Sequence, residues 1–301
     1  MTSLKRYPGT NEDRFRGSVS SALLAKMWKS QFNVDVTKFL HAEDIKLIPV
    51  VPHNYLKFAP VSSGDGEFYS NLMRRMGYDS ETKPEFSEAA SFIAPESMVL
   101  DVGCGMGAFS LKCPGSYCGI DTNRTAIEDG VTLGRNVRYG FVQDEAEGKY
   151  DVVTAFQVLE HVDDPVGFIQ ACINCLRPGG TIIISTPNMR GMTGYVPNEI
   201  LNLPPHHLTW WDDSSLKSLI DGNNCNTCKI WYEPLQPTQY SNVLMALLWP
   251  RDDRHLVTSP LFPILRACVR IATRIAARIW HDVPFVFGQT IMAVAMKKQV
   301  N

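Results

Sequence analysis

Three alternating glycines follow a short apolar run, and one acidic residue interrupts that run near its end. Residues 99–107 read Val-Leu-Asp-Val-Gly-Cys-Gly-Met-Gly. Because glycine has no Cβ atom, a ligand can lie directly against the backbone of such a turn. We predict a strand at 98–102 and a helix at 107–112 whose N-terminus presents unpaired N–H groups. This arrangement is typical of a site for a polar ligand at the carboxyl end of a parallel strand.

The spacing of the glycines does not identify the ligand by itself. Gly103, Gly105 and Ala108 also fit the looser form of the dinucleotide fingerprint, which leaves a nicotinamide cofactor open. The flanking sequence adds a second apolar run at 117–120, which ends at Asp121, 18 residues after Gly103. A carboxylate at that position can accept hydrogen bonds from both hydroxyls of a ribose.

Five segments, taken in order, resemble the motifs of class I S-adenosylmethionine-dependent methyltransferases. They are residues 101–107, 119–122, 150–153, 159–162 (Leu-Glu-His-Val) and 176–180 (Leu-Arg-Pro-Gly-Gly). The resemblance covers 84–190, about a third of the chain, and five ordered motifs are more specific than one glycine turn. It implies S-adenosylmethionine, rather than a nicotinamide, as the cofactor.

The resemblance also implies which residues hold the cofactor. Its methionine part would lie on the glycine turn, its ribose on Asp121, and its sulfonium near the end of the strand at 150–156. The residues assigned to the cofactor are Asp101, Gly103, Cys104, Gly105, Gly107, Asp121, Thr122, Asp144, Gln157 and Val158. No metal ligand is assigned.

Two adjacent histidines, His206 and His207, are the candidates for chemistry. A hydroxyl is a weak nucleophile, so a base with a pKa near 6–7 would help to remove its proton as it attacks a methyl group. The alternative is structural, with one ring packed against Trp210 and Trp211 and the other bonded to backbone. His161, in the fourth motif, is expected to brace its loop rather than to catalyse.

The motif pattern most resembles bacterial O-methyltransferases related to the quinone-pathway type. Some of those enzymes act on sugars of surface polysaccharides or on lipid-linked intermediates. The resemblance therefore implies a hydroxyl acceptor on a small molecule, a sugar or a lipid-linked compound. The alternative from another class is a non-catalytic cofactor-binding protein that acts as a partner at a membrane surface.

Strands and helices alternate along the chain as far as about residue 190. This alternation predicts an α/β fold of the Rossmann-like, doubly wound type, with a mostly parallel sheet. Two last strands, at 228–232 and 288–296, would form the antiparallel pair that closes the sheet in the family. We expect an N-terminal extension at 1–80 that covers or borders the cofactor site, a core at 81–232 and 287–301, and a helical insertion at 233–286.

The composition narrows the function classes. The 301 residues are 45% hydrophobic, enough for a sizeable core, and the formal net charge of −2 gives no basic field to favour nucleic acid. No run of 18 apolar residues exists, and the first twenty residues show no secretory pattern, so we expect neither a spanning helix nor a signal peptide.

Eight cysteines include two pairs with the C-x-x-C spacing of zinc ligands. These are Cys172 with Cys175 and Cys225 with Cys228. Cys172 and Cys175 lie on one apolar helix face with Phe168 and Leu176, so a core position is the stronger interpretation. Thiols without a disulfide pattern suit a reducing compartment, and we expect a cytoplasmic protein, with peripheral membrane contact as an open alternative.

That alternative rests on residues 262–280. Arg266, Arg270, Arg274 and Arg278 recur every four residues among isoleucines and alanines, which predicts a basic amphipathic helix. The stripe has three interpretations: a solvated face of a packed helix, a face that lies on an anionic membrane, or a site for a phosphate-bearing substrate or partner.

Vesicle sedimentation distinguishes these interpretations. Each arginine near an anionic surface contributes about 1 kcal/mol, which salt screens. On the membrane hypothesis the wild type pellets with anionic vesicles at low salt, and the variant with all four arginines changed to glutamine stays in the supernatant. Equal behaviour of the two folded proteins would leave the stripe as a solvated face.

Overall fold

The computed structural model describes residues 5–6, 15–76, 82–195, 197–236, 239 and 287–299. The strands in these residues are β1 (Lys5–Arg6), β2 (Phe15–Ser20), β3 (Asp44–Val50), β4 (Tyr55–Ala59), β5 (Met98–Val102), β6 (Ser116–Asp121), β7 (Val137–Tyr139), β8 (Tyr150–Phe156), β9 (Leu176–Pro187), β10 (Thr209–Trp210), β11 (Cys225–Pro234) and β12 (Phe287–Lys297). The α-helices are α1 (Ser21–Phe32), α2 (Gly66–Met76), α3 (Pro84–Ala90), α4 (Arg124–Thr132), α5 (Pro165–Cys175) and α6 (Asp213–Asp221).

Seven strands form the main sheet, in the order β11-β12-β9-β8-β5-β6-β7. The five strands from β9 to β7 run parallel, and β12 runs antiparallel to both of its neighbours, β9 and β11. The predicted Rossmann-like fold with an antiparallel closing pair is therefore confirmed. The carboxyl ends of the parallel strands meet at one edge of this sheet.

The main sheet is buried on both faces, as a doubly wound fold requires. Successive strand residues point to opposite faces. Val99 accordingly lies in the apolar cluster of Phe86 and Phe109, whereas Leu100 lies in that of Ile169 from α5. Both strand residues are fully buried. This explains why the central strands read as continuous apolar runs rather than as alternating ones.

Local capping chemistry places helices where the sequence predicts them. The carboxylate of Asp164 accepts the N–H of Gly167 at 3.0 Å, and Pro165 occupies the first turn of α5. Asn123 caps α4 through bonds from the N–H groups of Thr125 and Ala126. Both caps satisfy donors that the first helical turn leaves unpaired.

A second, antiparallel sheet has the order β1-β2-β3-β4-β10. Its last strand, β10, comes from far along the chain and pairs with β4. The cluster beneath this sheet joins Trp28, Phe58 and Phe68 to Leu203 and Trp210, and the Trp28 indole donates to the Pro204 carbonyl at 2.8 Å. Met189, Leu203 and Trp210, which follow β9 in the chain, thus pack with the N-terminal extension.

Two predicted elements differ in extent. The helix predicted at 107–112 is a single 3-10 turn, Ala108–Leu111, because Gly107 is left-handed at its start (φ 78°) and Pro114 cannot continue it. The apolar run at 181–186 predicts a strand, but β9 already begins at Leu176 and so includes the Leu-Arg-Pro-Gly-Gly motif.

The insertion predicted at 233–286 lies outside the described residues, apart from 233–236 and 239. The arginine-bearing helix predicted at 262–280 lies wholly outside them. Within the described part of the chain, every helix is too short or too polar to cross a lipid bilayer.

The two cysteine pairs with zinc-ligand spacing lie in different surroundings. Cys172 and Cys175 are buried in the apolar cluster that contains α5, as predicted for core residues. Cys225 is buried, and Cys228 is exposed at an irregularity of β11 between Thr227 and Lys229.

Trp211 links the two sheets, since its fully buried indole stacks on Tyr55 of β4 with ring centroids 4.4 Å apart. We expect Trp211→Ala to lower the free energy of unfolding by about 3–5 kcal/mol, because the substitution opens a large cavity between the two sheets. Urea denaturation measures the change. Leu133→Ala, at a 57% exposed position, should alter it by less than about 0.5 kcal/mol. Equal changes in the free energy of unfolding for the two variants would show that the Trp211 indole does not hold the two sheets together.

Candidate cofactor and acceptor site

A cavity of about 430 Å³ opens at the carboxyl edge of β5, β6 and β8, beneath α2. Its volume falls in the range of small-molecule sites. Eight of the ten residues predicted to bind the cofactor line it: Asp101, Gly103, Cys104, Gly105, Asp121, Thr122, Gln157 and Val158. Three separate motifs of the sequence thus meet in one pocket.

The glycine turn approaches the cavity with its backbone. Gly103 and Gly105 have φ values of 70° and 56°, a conformation that favours glycine. A Cβ atom on Gly103 would lie 2.4 Å from a methyl group of Val158, so a larger residue does not fit there. The turn is therefore a cradle that only glycine can form.

The N–H groups of this turn are not left unpaired, contrary to our expectation. Those of Gly103 and Cys104 donate to the Ile120 carbonyl at 2.8 and 3.1 Å. That of Gly105 donates to the Asp121 carboxylate at 2.8 Å. The 3-10 turn is too short to provide a helix N-terminus. These bonds hold the turn against the end of β6, and a ligand meets a prearranged surface.

Asp121 stands at the end of β6 with capacity to bind a ligand. One carboxylate oxygen accepts the Gly105 N–H, and the other accepts the Asn123 N–H at 2.7 Å. Because Asp121 lines the cavity, this carboxylate suits the paired hydroxyls of a ribose.

Asp101 is a buried carboxyl group in the cavity wall. It accepts hydrogen bonds from the Tyr117 hydroxyl at 2.9 Å and the Thr154 hydroxyl at 2.7 Å. Burial raises the pKa of Asp101 to about 7, although both hydroxyls oppose that shift. The group therefore changes charge near neutral pH.

Gln157 ends β8 in a left-handed conformation (φ 57°) that is uncommon for a residue other than glycine. Its amide donates, at 3.3–3.5 Å, to Glu85, Ser185 and Thr290. These contacts hold Gln157 at the cavity wall, beside Val158.

Two residues assigned to the cofactor from the sequence do not line the cavity. Gly107 starts the 3-10 turn, where a Cβ atom would lie 2.6 Å from Val137. Asp144 is exposed, and its neighbour Gln143 lines the cavity together with Phe141. At this part of the wall the structure favours backbone and aromatic surface over a carboxylate.

The sequence motifs did not reveal several lining residues. Lys83 precedes α3, and Tyr69, Leu72 and Met73 come from α2 in the N-terminal extension. The only signal for these α2 residues was the apolar face of the predicted helix. These α2 residues place part of the predicted N-terminal extension in the cavity wall.

Three histidines gather at the side of the cavity. His161 lines it, whereas His206 and His207, the predicted catalytic residues, are buried behind it and do not. The centroids of the three rings lie 4.5–5.0 Å apart. Burial lowers the pKa of His161 to about 4 and lowers those of His206 and His207 below the usual histidine value. The predicted pair thus lies behind the cavity, whereas His161 is the histidine in its wall.

Backbone pairing brings these histidines together. Leu208 donates its N–H to the Glu160 carbonyl at 2.8 Å, and Phe58 of β4 donates to the Leu208 carbonyl at 2.9 Å. The segment at 206–208 is thereby held between the 3-10 turn Leu159–His161 and the second sheet.

Trp210 and Trp211 are not available to an acceptor. Both are buried, and their indole N–H groups donate to the Asn202 carbonyl and the Thr209 hydroxyl, each at 2.8 Å. Of the two roles left open by the sequence, the structure supports packing.

Comparison with known proteins agrees with the motifs. Residues 64–229 match the family model described as "Methyltransferase domain", which covers more than half of the chain. This chain belongs to the methyltransferase-domain family. The ubiquinone biosynthesis O-methyltransferase of Escherichia fergusonii is 33% identical over 173 residues, which cover 50% of this chain and 68% of the relative.

Another relative is the ubiquinone biosynthesis O-methyltransferase of Shewanella halifaxensis. It is 40% identical over 111 residues, covering 33% of this chain and 46% of the relative. This chain spans about half the length of most of the curated relatives that it matches. Among solved structures, a SAM-dependent methyltransferase of Thermotoga maritima has a TM-score of 0.51 at 12% identity, and covers 77% of this chain and 98% of that one. That likeness concerns the fold alone.

These findings show the methyltransferase-domain family and its cofactor, S-adenosylmethionine, and the cavity fits that molecule. The glycine cradle offers backbone surface, Asp121 suits the ribose, and Phe141 and Val142 offer apolar surface for an adenine. Lys83 is the cationic residue among the described lining residues, and it suits a carboxylate, whereas Asp101 suits an amino group.

Asp121→Ala should weaken S-adenosylmethionine binding about 10- to 100-fold, because a charged hydrogen-bond acceptor for the ribose is lost. Isothermal titration calorimetry measures this affinity. Asp144→Ala is the matched control: it removes an exposed carboxylate a short distance from the cavity and should leave the affinity unchanged. Equal losses in the two variants, or none in either, would contradict the assignment.

Asp101 predicts a pH dependence of cofactor binding. The pKa of this carboxyl is about 7 in the folded protein, and a bound amino cation favours its ionised form. Affinity should therefore rise about five- to tenfold between pH 6 and 7.5, with release of a proton. Calorimetry in buffers of different ionisation enthalpy counts that proton. In Asp101→Asn the rise should disappear, and a rise of the same size in this variant would show that another group titrates.

Proposed function

We propose that this chain transfers a methyl group from S-adenosylmethionine to a hydroxyl group of a small molecule or glycan. The observation that carries the proposal is a neutral imidazole, that of His161, in the wall of the cofactor cavity. The O-methyltransferase names of the curated relatives support the choice of oxygen as the acceptor atom.

The chain's own residues do the work of binding and alignment. When bound, S-adenosylmethionine supplies a methyl group already activated by a positive sulfonium sulfur. Asp121, Lys83 and the glycine turn orient it from the carboxyl edge of the sheet. Because displacement at carbon requires attack in line with the leaving group, rigid placement of this kind contributes most to the rate.

The acceptor side of the cavity is formed by a different set of residues. Tyr69, Leu72 and Met73 come from α2, and Phe168 comes from the first turn of α5. Their surfaces are largely apolar, which suits a ring or an aliphatic part of an acceptor.

Hydrogen bonds between the N-terminal extension and the core border the acceptor side of the cavity. Ser63 donates its N–H and its hydroxyl to the two carboxylate oxygens of Asp163, at 3.1 and 2.8 Å. Lys57 of β4 donates to the Asp163 carbonyl at 2.7 Å. Since Ser63 and Asp163 both line the cavity, the N-terminal extension and the core together set the room for an acceptor.

His161 is oriented to accept a proton. Its Nδ1 lies 2.5 Å from the His206 carbonyl oxygen, which can only accept, so Nδ1 carries the hydrogen and Nε2 keeps its lone pair. Nε2 would take the proton of an acceptor hydroxyl as that oxygen attacks the methyl group that S-adenosylmethionine would supply. The His206 carbonyl thus positions the His161 ring, whereas the sequence predicted that the His206 side chain itself would be a base.

The acceptor class is inferred from resemblance and remains a proposal. A quinone-precursor phenol, a sugar hydroxyl and a lipid-linked hydroxyl all present an oxygen nucleophile beside an apolar or ring surface. A cytoplasmic location and peripheral membrane contact through residues 262–280 likewise stay predictions.

The central test is His161→Ala. We expect turnover to fall about 10²-fold with cofactor affinity unchanged, because the group that takes the proton is lost while the binding surface stays. Labelled S-adenosylmethionine with fractionated cell extract reports methyl transfer and the chemical class of the product together.

The control variant is His41→Ala, which removes an exposed imidazole bonded to Ser62. It should retain wild-type turnover. Near-normal turnover in folded His161→Ala would show that this residue is structural. Label recovered only on nitrogen or carbon would contradict the proposed hydroxyl acceptor.

A further inference from the structure

The histidines 161, 206 and 207 form a cluster that proton transfer alone does not explain. A single base needs one imidazole and a group that orients it, and His161 with the His206 carbonyl already supplies both. The structure nevertheless buries two further imidazole rings behind the first.

Burial of a polar ring is costly unless its nitrogens have partners. His207 is 7% exposed, and within the described part of the chain neither of its ring nitrogens forms a hydrogen bond. Its ring contacts are with the other two histidines. A bound ion is one way to give a ring nitrogen of His207 a partner, and the other two imidazoles are placed to share that ion.

The arrangement meets the requirements for a metal ion. One ring nitrogen from each histidine lies within 4.8 Å of the others. In a tetrahedral zinc site with Zn–N bonds of about 2.0–2.1 Å, ligand nitrogens are about 3.4 Å apart. The rings therefore need to close by at most about 1.4 Å, which small rotations about χ1 and χ2 can provide.

The surroundings also suit a metal centre. The Nδ1 of His161 is bonded to the His206 carbonyl, which fixes the ring and leaves Nε2 for an ion. Metal-binding histidines commonly use this kind of outer contact. Rings of Trp28, Phe68 and Tyr69 pack around His206 and form an apolar shell.

We propose that His161, His206 and His207 bind one divalent transition-metal ion of the zinc type, with an open coordination position toward the cavity. Three protein ligands and one open position are typical of catalytic rather than structural zinc sites. The neutral nitrogen ligands favour zinc, cobalt or nickel over magnesium or calcium, which prefer oxygen.

The ion would change how the acceptor is activated. With the ion bound, an acceptor hydroxyl at the open position has its pKa lowered by the metal and loses its proton to water, and His161 is a ligand. The role of His161 as a base then applies to the metal-free protein. This consequence rests on the proposed function, but the binding of the metal does not. Loss of His161 lowers turnover in either case, so metal binding itself has to be measured.

The experiment uses the full chain without an affinity tag. Mass spectrometry of metal content after growth with added zinc should find about one ion per chain. The protein reloaded with Co²⁺ should show the visible absorption of a four-coordinate nitrogen site, without the near-ultraviolet band of cobalt–thiolate bonds. That missing band excludes the cysteines as ligands.

Three variants and two controls assign the ligands. His161→Ala, His206→Ala and His207→Ala should each bind Co²⁺ at least about 10²-fold more weakly than the wild type. His41→Ala and His53→Ala should bind it normally, because these imidazoles bond to Ser62 and Ser218 away from the cluster. Cofactor affinity and circular dichroism confirm that each variant is folded.

Two results would overturn the proposal. One is a folded wild type that holds no zinc and shows no Co²⁺ spectrum. The other is metal binding that survives in the three histidine variants. Because the spectrum of the wild type is decisive by itself, the test holds even where a variant fails to fold. A protein that binds the ion but transfers no methyl group would contradict the proposed function and leave the metal site standing.

Discussion

The parallel pairing of β5 with β6 and β8 is the constraint on which the site depends. In a parallel sheet all strands end at the same edge, so residues that are distant in sequence become neighbours. Asp101, Asp121 and Gln157 belong to three different strands or their ends, and all line one cavity. The Asp121 carboxylate strengthens this arrangement because it ties the glycine turn after β5 to the end of β6.

The second sheet decides the shape of the acceptor side. Its last strand, β10, is contributed by the segment that follows β9, so the N-terminal extension and the core share one stretch of chain. That sharing places α2 above the cavity and holds His206 and His207 behind His161. A change in this packing would therefore alter both the acceptor pocket and the histidine cluster.

Buried polar groups are concentrated around the cavity, and their charge states differ. Burial raises the pKa of Asp101 to about 7 and that of Glu160 to about 8, whereas it lowers the pKa of His161 to about 4. Desolvation is the largest cause in all three cases, because it disfavours the charged form of either kind of group. Glu160 and His161 are thus mostly uncharged at neutral pH, whereas Asp101 changes its charge there.

The sequence by itself determined the fold class, the family and the cofactor, and eight of the ten residues that it assigned to the cofactor line the cavity. These features are local, since glycine spacing and the residue at each strand end can be read without knowing the tertiary contacts. Only the tertiary structure decided that Trp210 and Trp211 are packed away, that Asp144 faces solvent, and that His161 lines the cavity. These outcomes depend on which surfaces meet when residues 189–210 join the second sheet, and no periodic pattern in the chain encodes such a long-range pairing.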